Sequence, residues 1–124
     1  MDREILFRAK FGNDWKYGYL SVEPKGLVIK EPYELNQSNI WHINPETVGQ
    51  YTGLTDKNGT KIFEGDIVIL RFNPCVVKWD TDNACYAFYQ NGITKMSGFN
   101  ADTMKLLEVI GNIHDDSDLL EVSE

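Results

Sequence analysis

Two histidines and two cysteines are the side chains of this sequence best suited to proton transfer or nucleophilic attack near neutral pH, and they stand far apart. His42 lies between Trp41 and Ile43 in an apolar stretch, where a histidine held by packing is the plainer reading. His114 opens the acidic stretch "HDDSDLLEVSE", in which Asp115 and Asp116 favour the charged imidazole. Nothing beside it in sequence supplies a nucleophile. No nucleophile elbow, phosphate-binding loop, dinucleotide fingerprint or Cys-x-x-Cys pair occurs. No catalytic residue and no cofactor are therefore assigned. A small enzyme assembled from scattered loops ranks third among the functional readings.

Metal binding fails by position. A calcium loop needs oxygen ligands at positions 1, 3 and 5 and glycine at 6. Counting from Asp56 reaches Asn58 and Thr60, then Lys61; counting from Asp80 reaches Asp82, then Ala84. Asp115, Asp116 and Asp118 read as a solvated acidic tail, so no metal site is assigned. Cys75 and Cys85 are expected to be free thiols of the core or its margin. If "CVVKWDTDNACYAFY" is a hairpin turning on Asp80 to Asn83, Cys75 faces Phe88 and Cys85 faces Lys78. That register leaves the sulfurs about 10 Å apart along the sheet, too far for a disulfide.

Aromatic residues supply the remaining signal. Trp15, Tyr17 and Tyr19 alternate along one strand and so share a face. Burial in the core is the plainest reading, a protein-interaction surface the next, and a base-stacking platform the last. Lys16 points to the opposite face. A net charge of -7 also weighs against nucleic acid, whose binders need a basic face. Five of the 19 carboxylates fall in residues 114–124, which leaves 14 against 12 basic residues elsewhere. The body is nearly neutral, not basic.

The elements that would position these groups read as short strands punctuated by turns, with little helix. "EILFRAKF", the turn Gly12-Asn13-Asp14 and "WKYGYLSV" form a hairpin. "LVIKE" follows, closed by Pro32, and residues 33 to 39 read as a polar loop. Asn44 and Pro45 suggest a helix start of a turn or two. "IVILRF" is a strand ended by Pro74, and "CVVKW", "CYAFY", "ITKMSGF" and "LEVIGNI" complete the set. The tail "DDSDLL" could form one helical turn capped by Asp115 or Asp116. Between residues 48 and 68, Gly49, Gly53, Asp56, Asn58, Gly59, Gly65 and Asp66 read as turn and corner devices, with an exposed polar tip from Asp56 to Lys61. The class is mainly β: a small barrel or sandwich with an SH3-like portion around "FEGDIV". At 124 residues the chain is expected to be one domain, its acidic tail starting near residue 114.

"DREILFRAKF", "WKYGYL", "INPETVGQYTGLTDKNGTKIFEGDIV" and "LEVIGNIHDDSDLL" resemble, in order and spacing, the YopX family of bacteriophage and prophage proteins. The likeness spans nearly the whole chain and is most specific at residues 48–68 and 109–113. The resemblance implies a phage-derived protein of mostly β fold made in the host cytoplasm, and it carries no catalytic residues. With no apolar run of membrane-spanning length, a membrane is not an expected partner. The leading expectation is a non-enzymatic module that binds a host or phage protein and could also form a homo-oligomer. The runner-up is a nucleic-acid-associated SH3-like module, which requires Lys57, Lys61, Arg71, Lys78 and Lys95 to cluster on one face.

Overall fold

Period-two alternation and frequent turn residues give strands almost throughout, and the computed structural model describes residues 4–34, 37–70, 73–90, 94–98 and 105–120. The chain divides into two compact units, Met1–Tyr51 and Thr52–Glu124.

The first unit is an antiparallel meander. Strands β1 (Phe7–Phe11), β2 (Asp14–Glu23), β3 (Gly26–Glu34) and β4 (Gln37–His42) pair in succession, and β5 (Asn44–Thr55) adds on the other side of β1. Gly12 and Asn13 turn β1 into β2, with Gly12 at φ 63° and Phe11 opposite Asp14. One face of the sheet packs Ala9, Ile29 and Ile43 with Phe7, Leu20, Leu27, Trp41 and Val48. Gly18 lets β2 and β3 come together, because an added Cβ would overlap the Lys30 carbonyl oxygen.

Three local expectations are corrected in this unit. Pro32 does not close its strand, since β3 continues to Glu34 with Pro32 opposite Ser38. The stretch read as a loop over 33–39 already contains the start of β4 at Gln37. Asn44 and Pro45 open a strand, not a helix. The Asn44 side chain accepts from the Glu46 N–H (3.0 Å), and the Thr47 hydroxyl donates to the Asn44 carbonyl (2.7 Å). This local turn forms a bulge, for Lys10 pairs with Asn44 while Arg8 pairs with Gly49. The Lys10 N–H donates to Thr47 Oγ1 at 2.8 Å.

In the second unit the end of β5 pairs with β6 (Lys61–Phe63), the last strand in the order β4-β3-β2-β1-β5-β6. The Thr52 hydroxyl donates to the Ile62 carbonyl at 2.8 Å. A separate five-stranded antiparallel sheet runs β10-β9-β8-β7-β11. It comprises β7 (Asp66–Leu70), β8 (Asn73–Asp80), β9 (Cys85–Gln90), β10 (Thr94–Gly98) and β11 (Glu108–Asn112). Ile62, Val68, Cys75, Val77, Phe88 and Leu107 form its core, with Tyr86 and Val109 against them.

The mainly β class holds. Neither sheet closes on itself among the described residues, so the strand order carries no SH3-like barrel. Pro74 lies inside β8 opposite Ile69, so it does not end the preceding strand. The β8–β9 register is shifted by two residues from expectation, with Cys75 opposite Gln90 and Cys85 opposite Asp80. Both cysteines are free thiols, Cys75 buried and Cys85 half-buried, and they point to opposite faces of the sheet. The tail forms a 3-10 turn at Ser117–Leu120 that contacts β8. Asp116 precedes it, but its carboxylate turns back to accept from the Asn112 N–H at 3.1 Å. Gly111 leaves room for that fold-back, since an added Cβ would come within 2.6 Å of Asp116 Oδ2.

Candidate functional site

Away from its packed face, the sheet of the first unit presents a row of aromatic and charged side chains. Along β2 the row runs Trp15, Tyr17, Tyr19, Ser21, Glu23, by simple alternation. Tyr17 is 43% and Tyr19 58% exposed, so the burial expected for this strand face does not hold for them. The two-residue turn at Gly12 and Asn13 places Lys10 across from Trp15 and Arg8 across from Tyr17. The Arg8 guanidinium carbon lies 4.7 Å and Lys10 Nζ 5.6 Å from the centroid of the Trp15 ring, within cation–π range. Lys16 is on the face opposite Trp15, as expected, but that face is the packed one, and its ammonium lies 3.9 Å from the Trp41 ring. Lys10, half-buried, and the buried Arg8 are neighbours of the row that the strand pattern alone misses. The hairpin register implied by a Gly-Asn turn would have found them.

Farther along the face, β3 sets Lys30 opposite Tyr19 and Val28 opposite Ser21. Lys30 Nζ lies 3.3 Å from Glu23 Oε2, and the Ser21 hydroxyl donates to the same oxygen at 2.6 Å. That hydroxyl, and then the Lys30 ammonium, hold the Glu23 carboxyl below the ordinary range. Glu23, Pro24, Lys25, Val28, Ile40 and His42 line a concavity of about 310 Å³ at this end of the strands. Val28 is fully buried, while Ile40 is 54% exposed beside His42.

His42 thus sits in a concavity with the Glu23 carboxylate, the kind of pairing an enzyme reading requires. Ser21, Val28 and His42 occupy one cross-strand row. The backbones of Ser21 and His42 are two strand spacings apart, about 9.6 Å. The Ser21 hydroxyl is already spent on Glu23. Among the described residues no group of three or more His, Cys, Asp or Glu is placed to hold a metal ion.

The corner residues of the second unit are tied into backbone geometry. Asp56 is buried, and its Oδ1 accepts from the N–H groups of Asn58 (2.8 Å) and Thr60 (2.9 Å). Its Oδ2 accepts from the Val109 N–H at 2.9 Å, which joins the turn to β11. Burial opposes ionisation of Asp56, but the three N–H groups of Val109, Thr60 and Asn58 outweigh it and lower its pKa. Asp66 accepts from the Phe63 N–H at 2.7 Å. Gly53, Gly59 and Gly65 take φ of 91°, 83° and 90°, whereas Gly49 lies buried in β5 without positive φ. The exposed tip of this turn runs from Lys57 to Lys61, Asp56 itself being inside.

Of the basic residues proposed to cluster, Lys78 and Lys95 share the face of the second sheet around Tyr89, whereas Lys57 and Lys95 belong to opposite edge regions of it. Lys57 lies 3.7 Å from Glu108 on β11, while Lys95 lies 2.8 Å from Asp80 and sits on β10, the opposite edge of the same sheet. Lys78 lies over the Tyr89 ring at 5.4 Å. Arg71 is outside the described residues. His114 is exposed at the start of the tail.

Residues 7–121 match the family model described as YopX protein. The chain belongs to the YopX family. This is not a known enzyme family. No curated protein is similar enough to this YopX chain to count as a relative. Among the described residues of this YopX protein, no helix is long and apolar enough to cross a membrane.

Proposed function

We propose that this YopX protein is a phage- or prophage-encoded accessory protein of the bacterial cytoplasm that binds another protein, of host or phage, without catalysing a reaction. The docking face is the outward side of β1, β2 and β3. One observation carries the reading: Tyr17 and Tyr19 stand exposed on a regular strand next to Trp15, itself covered by Arg8 and Lys10. Trp, Tyr and Arg are the residues that dominate binding energy at protein interfaces, and the rings of Trp and Tyr offer large contact areas with few rotatable bonds.

A second reading, a nucleic-acid module, draws on the same stacking of cations and rings. The net charge of -7 and the separation of Lys57 from Lys95 across the second sheet weigh against it.

The test is affinity purification of the tagged chain from a host carrying the phage, with nuclease treatment. It is run beside a Tyr17→Thr/Tyr19→Thr variant, in which threonine preserves strand propensity. The expected result is a stoichiometric protein that survives nuclease and is lost with the variant. Recovery of nucleic acid alone, or of a partner indifferent to the substitutions, overturns the proposal.

A further inference from the structure

Asn58 and Gly59 stand at the exposed tip between β5 and β6, where a side-chain amide meets a backbone nitrogen that no side chain shields. An asparagine loses its amide when the nitrogen of the next residue attacks its side-chain carbonyl carbon, so the next residue governs the reaction. Asn44 and Asn73 precede proline, which has no N–H to react. Asn39 and Asn112 precede isoleucine, whose branched side chain crowds its own nitrogen. The Asn83 amide is held, donating to Asp80 Oδ2 at 2.8 Å. Gly59 takes φ 83°, and a Cβ added to it would meet no heavy atom within 4 Å. A second Asn-Gly pair, Asn91-Gly92, lies outside the described residues.

The turn also restrains the attacking nitrogen. The Gly59 N–H donates to the Asp56 carbonyl at 3.0 Å, while the Asn58 and Thr60 N–H groups donate to Asp56 Oδ1. The Asp56 N–H in turn donates to the Thr60 carbonyl at 2.8 Å. The nitrogen must lose its proton to react, and a bonded N–H does so only after the bond opens. Asp56 therefore sets how often the reactive arrangement forms.

We infer that Asn58 is a modification site, converted without an enzyme to aspartate and isoaspartate at a rate governed by Asp56, and that the conversion unfastens the turn from β11. The Gly59 nitrogen gives its proton to water or hydroxide and bonds to Asn58 Cγ. The Cγ–Nδ2 bond breaks, and Nδ2 leaves as ammonia with a proton from solvent. Water then opens the cyclic imide. Attack at the side-chain carbonyl gives aspartate, and attack at the main-chain carbonyl gives isoaspartate. Isoaspartate carries the chain through its side-chain methylene, so the N–H groups of residues 58 and 60 no longer meet one oxygen at their present spacing. Either product adds a carboxylate beside that of Asp56. Both weaken the hold of Asp56 Oδ2 on the Val109 N–H, now 2.9 Å long.

The test incubates the full-length chain under mildly alkaline conditions, folded and in concentrated urea. Each asparagine is followed by peptide mass mapping, with isoaspartate detected by enzymatic methylation. In the folded chain Asn58 should convert ahead of Asn13, Asn39, Asn83 and Asn112, about tenfold more slowly than in urea. Asp56→Asn should bring the folded rate close to the urea rate. Amide exchange at Val109 should quicken in the converted fraction, while Asn58→Ser, which keeps the backbone N–H groups, shows neither conversion nor quickening. Equal rates in the folded and unfolded chain overturn the inference, as does an Asp56→Asn rate equal to that of the wild type. So does an Asn58 that stays intact in the folded chain for about a hundredfold longer than the urea sample needs. Val109 exchange that conversion leaves unmoved overturns the unfastening.

Discussion

Asp56 shows how much one carboxylate can organise. Its two oxygens take the N–H groups of Asn58, Thr60 and Val109, so one side chain shapes a turn and fastens it to a strand 53 residues away. Hydrogen bonds to a charged acceptor are worth about 1.5–3 kcal/mol, and an unmet buried donor costs a similar amount. Asp56→Asn replaces one accepting oxygen with a donor that opposes an N–H. It is expected to lower unfolding stability by about 2–3 kcal/mol in a denaturant titration. A loss within error would show that the turn holds without the carboxylate. Asp80 behaves similarly: Lys95, then Asn83, hold its pKa down to about 2. The folded-state pKa of Asp56 and Asp80 lies below the unfolded value, so the stability they contribute is present above the unfolded pKa. It is lost as pH falls through the folded pKa. The melting temperature of the wild type should therefore drop between about pH 4 and pH 2. Asp80→Asn should drop less over that window, and an equal drop would exclude Asp80 as a source.

At the scale of elements, contacts far apart in sequence decide what local signals leave ambiguous. Gly18→Ala would push a Cβ into the Lys30 carbonyl at the β2–β3 junction. The expected loss exceeds about 3 kcal/mol, with hydrogen exchange rising first in β2 and β3. Unchanged exchange there would mean that the strands can part without cost. Alternation made the strands legible, and with them the common face of Trp15, Tyr17 and Tyr19. The Asn44-Pro45 pair misled because an asparagine side chain accepts a nearby N–H in the same way at a helix start and at a bulge. What selects the bulge is the Lys10 N–H reaching Thr47, 37 residues away. Pro32 and Pro74 look like stops, yet both sit in ladders, opposite Ser38 and Ile69. The outward position of the aromatic row was equally hidden. Its two faces differ by what packs on them: Ala9, Ile29 and Ile43 gather on one side, and no local pattern announces which. The concavity was illegible too, because it joins a turn at Pro24 to His42 across three strands.

For the molecule as a whole, the two apolar clusters draw on separate stretches of chain, residues 7–48 and 62–109. Ile29→Val and Ile62→Val each remove one buried methylene, at a cost of about 1 kcal/mol. Exchange should quicken in β1 to β4 for the first and in β7 to β9 for the second. A uniform rise across both sets of strands would show a single cooperative unit. The cysteines, finally, give the native chain an unplanned experimental asset. Burial pushes the Cys75 thiol up in pKa and out of reach, whereas Cys85 faces the other side of the sheet, half open to solvent. A thiol-directed dye should attach at one position without any engineered residue. It would leave a fluorescent reporter on the second unit, with the aromatic row of the first unit left chemically untouched.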